Sequence, residues 1–332
     1  MSTLEPFLEP GVIYGIGTLG LALIYRYLRF PDFTVLGSIV CGGVFSVFFT
    51  NALGPLPGIL LGTCVGAVLG LLTGLLAMVM RIQPVLAGII TFTASSSPAF
   101  LATDGGRIDL LPRAGNLLVA SFAVADLVLL VVLAGALCGA VAAFMRTKAG
   151  SLLLAMTANR DFVRFRHRYQ RSIFVITVMA GNAIVALAGG LHAVNDAAAH
   201  AQAHFDFLPF ALGAVFAGNA VTAWASKVVH RYEIAGAGGV DDPGRAAPGR
   251  LSLLLGKALS VNEDSGLRVL FLLVTYVLGC FCLLLISRAV QADILGTIHA
   301  NLSLPSEWQW AVVALLMTFF VWWSGAAEEA QQ

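Results

Sequence analysis

The sequence predicts an all-α polytopic membrane protein with about nine transmembrane helices (roughly eight to ten). Charged residues make up 11% of the 332-residue chain and apolar residues 58%, against about 25% charge in soluble domains. Mean hydropathy is +0.88. Several runs of about twenty residues carry no charge, the length a helix needs to cross a hydrocarbon core of roughly 30 Å. The longest polar interval, residues 229–266, is too short to bury a core of its own. Residues 1–332 therefore read as one transmembrane domain.

Apolar windows place the spans at about 11–28, 33–53, 57–80, 84–102, 116–145, 172–193, 207–228, 267–288 and 307–324. The opening MSTLEPFLEP has no positive n-region and no small-residue cleavage site, so the first span is expected to be retained and to direct insertion. Span three carries Gly58, Gly62, Gly66, Gly70 and Gly74 at every fourth position. Without Cβ atoms such a ridge lets neighbouring backbones touch, which is how helices associate in lipid. Four residues turn a helix by about 400°, so the ridge winds slowly and suits contact with more than one neighbour. Span four is polar for its depth, with Thr91, Thr93, Ser95, Ser96 and Ser97 ahead of Pro98. The proline is expected to kink or end the helix. The hydroxyls satisfy freed carbonyls or line a polar cavity, two compatible roles. Span five holds a lone acid, Asp126, which marks either a functional site or the outer interface.

Residues 146–171 interrupt the apolar pattern with seven of the nineteen Lys and Arg residues and a single acid, Asp161. One Lys or Arg costs roughly 2.5–3.5 kcal/mol at a helix centre in the membrane, so this segment must leave the bilayer. The excess of basic residues places it in the cytoplasm. Counting outwards puts residues 26–32, the turn at Arg81 and the loop 229–266 on the same side. The connections near 54–56, 103–115, 194–206 and 289–306 fall outside, with Arg107, Arg113 and Arg288 against five acids.

The outer stretch 192–206 places Asp196, His200 and His204 at i, i+4, i+8 spacing. On a helix the three would share a face and could hold a metal. No H-E-x-x-H motif or nearby thiolate accompanies them, so a short amphipathic surface helix is the expected arrangement. The five cysteines show neither C-x-x-C nor zinc spacing and read as packing residues. Trp308, Trp310, Trp322, Trp323 and Trp224 read as interfacial anchors. No P-loop occurs: Gly256-Lys257 is followed by Ala258, with Leu251 in place of the first glycine. No G-x-S-x-G elbow stands out either. The chain reads as a conduit energised from elsewhere.

Residues 14–38, YGIGTLGLALIYRYLRFPDFTVLGS, resemble the opening of permease subunits of bacterial ATP-binding-cassette importers. The group concerned is the branched-chain amino-acid and ribose type, especially its amino-acid or peptide branch. There a first span runs into Y-R-x-L-x-F-P-D-L-T; Tyr25, Arg26, Leu28, Phe30, Pro31, Asp32 and Thr34 match it, with Phe33 for the leucine. Residues 86–97, LAGIITFTASSS, are similar to that branch's L-A-G-I-L-T stretch. AGNAIVALAGGLHA (180–193) and ALGAVFAGNAV (211–221) resemble its later glycine-alanine helices. The resemblance runs over most of residues 11–325.

The resemblance implies a bundle like that of type II importer permeases, in a bacterial inner membrane. Residues 146–171 then take the place of the coupling segment that docks on a cytoplasmic ATPase. Gly150 and Ser151 would start a short helix there, with Leu152, Leu153, Ala155 and Met156 as its apolar face. Gly150, Ser151, Leu154, Ala155, Asn159 and Asp161 become the candidate ATPase contacts. Arg164, Arg168 and Arg171 form a basic stripe suited to anionic lipid. The segment departs from the family pattern at Leu154-Ala155 and at 157–161, and Asn219 replaces a common glutamate. The implied partners are cytoplasmic ATP-binding subunits, a second permease copy or paralogue, an external solute-binding protein and the bilayer; nucleic acid is not among them. The chain itself is expected to bind no cofactor, with ATP and Mg on the partner ATPase. Spans one to four, with Thr91, Thr93, Ser95, Ser96 and Ser97, are the expected wall of a pathway for a small solute, an amino acid or peptide by the resemblance. The alternatives are a stand-alone secondary transporter or channel, which should show inverted repeats and midplane ionisable groups, or a membrane metal-binding protein using Asp196, His200 and His204.

Overall fold

The computed structural model describes residues 5–28, 30–104, 106–111, 123–158, 167–201, 207–208 and 211–216. The spans expected near 267–288 and 307–324, the loop 229–266, and most of the span near 207–228 lie outside the described residues. The described elements are α1 (Glu5–Leu28), α2 (Thr34–Leu53), α3 (Pro55–Met78), α4 (Pro84–Ala102), β1 (Arg107–Asp109), α5 (Ala123–Met145), α6 (Lys148–Ala158), α7 (His167–Asn195) and β2 (Ala198–His200). Five of the helices carry windows long and apolar enough to cross a membrane, and α1 adds a shorter apolar stretch, Glu9–Tyr25. Helix α7 has 29 residues, about 44 Å at 1.5 Å per residue. That exceeds the hydrocarbon thickness, so its basic first turns stand clear of the core.

Helix α7 is the hub. Helices α1, α2 and α3 pack around it, α4 lies on α2 and α3, and α5 leans on α1. Close approach depends on small residues. A Cβ on Gly20 of α1 would meet the Gly181 carbonyl of α7, and one on Gly42 of α2 would stand 2.6 Å from the Ala186 Cα. A single residue, Gly54, joins α2 to α3; its φ of +94° is open to glycine, and Pro55 then fixes the first turn of α3.

The helices alternate between two ends. At one end lie the α1–α2 loop, the turn at Arg81 and α6. At the other, β1 pairs antiparallel with β2, Arg107 opposite His200. Asn51, at the end of α2, tethers this small sheet: its amide donates to the Asp109 carbonyl at 3.0 Å, and its oxygen accepts from the Leu111 N–H at 2.8 Å. Helices α3, α4 and α5 leave Leu60, Val68, Leu72, Ile90, Val131 and Val132 exposed. Such apolar flanks belong in lipid or against another membrane helix.

The strand pairing corrects one expectation. Residues 196–201 do not form a helix carrying Asp196 and His200 on one face. Asp196 lies in the turn that ends α7, and Ala198–His200 is a strand. The backbone turns through Ala197 at a φ of +54°. It pairs with β1, whose inter-strand hydrogen bonds replace those a lone Ala-rich helix would make. His204 lies outside the described residues.

Candidate functional site

Helix α6 begins earlier than Gly150 or Ser151. Thr147 caps it: its hydroxyl accepts the Gly150 N–H at 3.3 Å and its carbonyl accepts the Ser151 N–H at 2.9 Å. Gly150 and Leu153 face inwards. Gly150 lies against the end of α5, where a Cβ would stand 2.5 Å from the Met145 Cα. Leu153 is fully buried in a cluster with Leu19, Leu23 and Tyr27 of α1, Met145 of α5 and Ile173 of α7. Burying that leucine contributes about 1.5–3 kcal/mol, which fixes α6 to three helices. Ser151 and Lys148 are exposed on its other side. Leu154 and Ala155 lie on α6 with side chains outside the described set, and Asn159 and Asp161 lie outside the described residues. Of the proposed apolar face, Leu153 is therefore turned into the chain's own bundle.

The hydroxyls of α4 divide between two faces. Thr91 and Ser95 are buried against the bundle. The Thr91 hydroxyl donates to the Ala87 carbonyl at 3.0 Å, and that of Ser95 to the Phe92 carbonyl at 2.7 Å. The Ser95 carbonyl accepts the Cys41 thiol at 3.4 Å. Thr93 and Ser97 are exposed and Ser96 half-buried; Thr93 donates to the Ile89 carbonyl at 2.9 Å. Pro98 does not end the helix, which continues to Ala102. Pro98 sits about one turn from the helix end, and hydroxyl bonds to main-chain carbonyls run on either side of it, with Thr103 donating to Ala99 at 2.9 Å. Asp126 lies on α5, with its side chain outside the described set.

The five glycines of α3 are all buried, and they divide their contacts. Gly58 and Gly62 face Thr50 and Ser46 of α2, while Gly66, Gly70 and Gly74 face Ala186, Val178 and Val175 of α7. Among the described residues the Ser46 and Thr50 hydroxyls, both buried, find no hydrogen-bond partner, and they occupy the space that Cβ atoms on Gly62 and Gly58 would take.

One constellation escaped the sequence reading. Asp32 is fully buried between α1 and α2. Phe33 already has helical angles (φ −77°, ψ −13°), so Asp32 takes the capping position of α2, its Oδ1 accepting the Thr34 N–H at 2.9 Å. Its Oδ2 accepts from Nδ2 of Asn182 on α7 at 2.8 Å. The same Nδ2 donates to the Val178 carbonyl at 3.0 Å, and the Asn182 oxygen accepts from the Ser38 hydroxyl at 2.7 Å. Thr34 and Thr73 of α3 share a hydroxyl bond at 2.6 Å. Burial pushes the Asp32 carboxyl above the ordinary carboxylate range, opposed by hydrogen bonds from Thr34 and Asn182. A lone acid beside a span and a lone Asn inside one were the available signals.

At the sheet end, Asp196 lies 3.5 Å from His192, and exposed Arg107 holds Asp109 at 2.7 Å. Among the described residues no group of three His, Cys, Asp or Glu side chains is placed to hold a metal.

A hub of closely packed, small-residue helices with apolar flanks, and a short helix seated between two spans at one end, defines a polytopic integral membrane protein. The chain belongs to the family described as "Branched-chain amino acid transport system / permease component", which matches residues 4–229. The stretches at 14–38, 86–97, 180–193 and 211–221 all fall within that match. No curated protein and no solved structure gives a significant match.

Proposed function

We propose that this chain is the membrane permease of an ATP-driven importer for a small solute of the amino-acid or peptide class. It works with cytoplasmic ATP-binding subunits, a second permease copy or paralogue and an external solute-binding protein, in a bacterial inner membrane with residues 146–171 on the cytoplasmic side. ATP and Mg act on the partner ATPase. The observation that carries this beyond the family is α6, a short helix between two spans whose inner side is locked to α1, α5 and α7 by Gly150 and Leu153 while Ser151 faces out. A push on such a helix moves the bundle ends it is packed on. The outward face of α4, with Thr93, Ser97 and half-buried Ser96, is the wall offered to the solute at the boundary with the second copy.

The test is co-purification. A tagged chain extracted from its own membranes should bring an ATP-hydrolysing subunit with it. Ser151→Trp, which adds bulk on the exposed side only, should lose that subunit while the chain still inserts. Recovery of the chain with no ATPase under conditions that preserve a known importer would overturn the proposal.

A further inference from the structure

Among the described residues, Asp32 is the only charged side chain that is buried, and the transport scheme above makes no use of it. Its surroundings are specific. The Asn182 amide uses Nδ2 on both Asp32 and the Val178 carbonyl and its oxygen on Ser38. Turned over, it would set an oxygen against two acceptors and an amine against a donor, so its orientation is determined. Backbone closes the site from two further helices. A Cβ on Gly88 of α4 would stand 2.8 Å from Asp32 Oδ1, and one on Gly70 of α3 would stand 2.9 Å from the Asn182 Cβ. Pulling α2 and α7 apart would strand a carboxylate and an amide in an apolar interior, a far greater loss than that of a sliding apolar contact.

The pair also occupies a particular place in the chain. Asp32 lies between the end of α1 and the start of α2. Helix α7 follows directly on the 146–166 segment. Leu153 of α6 packs on both α1, whose end leads into Asp32, and α7, which carries Asn182 near its middle. We propose that Asp32 and Asn182 are positioning residues for transport: the bond between them holds α7 in register with α2, so that displacement of α6 reaches α2 rather than being lost as sliding between helices. This rests on α6 being the ATPase contact, and the experiment separates the two claims.

Spin labels on a chain with its native cysteines replaced provide the readout, by pulsed EPR. In the purified chain alone, labels at Leu53→Cys and Asp196→Cys, at the far ends of α2 and α7, should give one narrow distance. Asn182→Leu should broaden it. The exchange Asp32→Asn with Asn182→Asp should narrow it again relative to Asn182→Leu, because an amide again meets a carboxylate and Ser38 can still donate to residue 182, with only the side-chain bond to the Val178 carbonyl lost. If Asn182→Leu does not insert, Asn182→Ala carries the same comparison. An unchanged narrow distance in the single variant, or no recovery in the exchange, overturns the proposal whatever the ATPase does. In the transporter with its ATPase, single labels at Ser151→Cys and Leu53→Cys report distances between permease copies. Both should shift on adding ATP with vanadate. In Asn182→Leu the Ser151 shift should persist and the Leu53 shift be lost. Persistence of both overturns the positioning role. No Ser151 shift in the unaltered chain instead overturns the reading of α6, leaving the register claim to the first measurement.

Discussion

The same substitution should have opposite consequences on two helices of this chain. Gly70 of α3 and Gly139 of α5 are both glycines in apolar membrane helices. A Cβ on Gly70 would stand 2.7 Å from the Val178 carbonyl oxygen, 2.8 Å from the Met179 Cα and 2.9 Å from the Asn182 Cβ. Optimal carbon contacts are about 3.5–4.0 Å, so α3 must retreat from α7 by roughly 0.5–1 Å, a gap that forfeits a quarter to a half of each dispersion contact along the seam. Gly70→Ala should therefore cost about 1–3 kcal/mol. Among the described residues a Cβ on Gly139 meets nothing within 4 Å, so Gly139→Ala should be neutral or gain up to about 1 kcal/mol from helix propensity. The assay is reversible unfolding of the detergent-solubilised monomer, followed by steric trapping or titration with a denaturing detergent. Equal losses from the two substitutions, or a neutral Gly70→Ala, would refute the claim that backbone proximity rather than glycine content decides the cost.

Three further outcomes follow from the described geometry. The folded Asp32 carboxyl, outside the membrane spans, keeps its proton to a higher pH than the unfolded one. The folded state then binds more protons above the ordinary carboxylate range, and stability falls as pH rises through the raised value. The stability of the native chain minus that of Asp32→Asn, from melting curves across a pH series, should be greatest in acid and decline as pH rises; a flat or opposite trend refutes it. Leu153→Ala should cost about 2–5 kcal/mol and raise amide exchange across α6 selectively, since that leucine is its buried anchor. Asn51→Ala should remove two hydrogen bonds to the β1 segment at a cost of about 1–3 kcal/mol, read as faster proteolysis at residues 103–111 with the helices intact.

What was legible in the sequence was set by solvent and by local pattern. Hydrocarbon demands length and apolarity of each span, so α2, α3 and α4 begin and end within two residues of the expected windows. The start of α6 is not legible from Gly150, whose lack of a side chain serves contact with Met145 while Thr147 supplies the cap. The outer strand was read as a helix because Ala-rich sequence favours one locally, whereas its conformation is decided by pairing with residues some ninety positions earlier. Asp32 and Asn182 each stand out as polar residues beside or within apolar runs, but their pairing is not legible in the sequence. They are 150 residues apart, and nothing in the period of either helix reports the other.

The two attachments at the α6 end differ in kind, and the difference bears on how a membrane transporter divides rigid from movable parts. Leu153 holds α6 through apolar contact alone, which is non-directional and tolerates sliding at modest cost. The Asp32–Asn182–Ser38 chain is directional and enclosed by Gly70 and Gly88, so it admits one register of α2 against α7 and no gradual slip. Helix association in lipid gains nothing from expelling water, and such a bond gives the bundle an orientation that packing of small residues does not. The glycine ridge of α3 then adds close contact to an arrangement the polar pair has already fixed. A bundle built this way keeps α2, α3 and α7 as one body, onto which α6 is seated through Leu153 and Gly150.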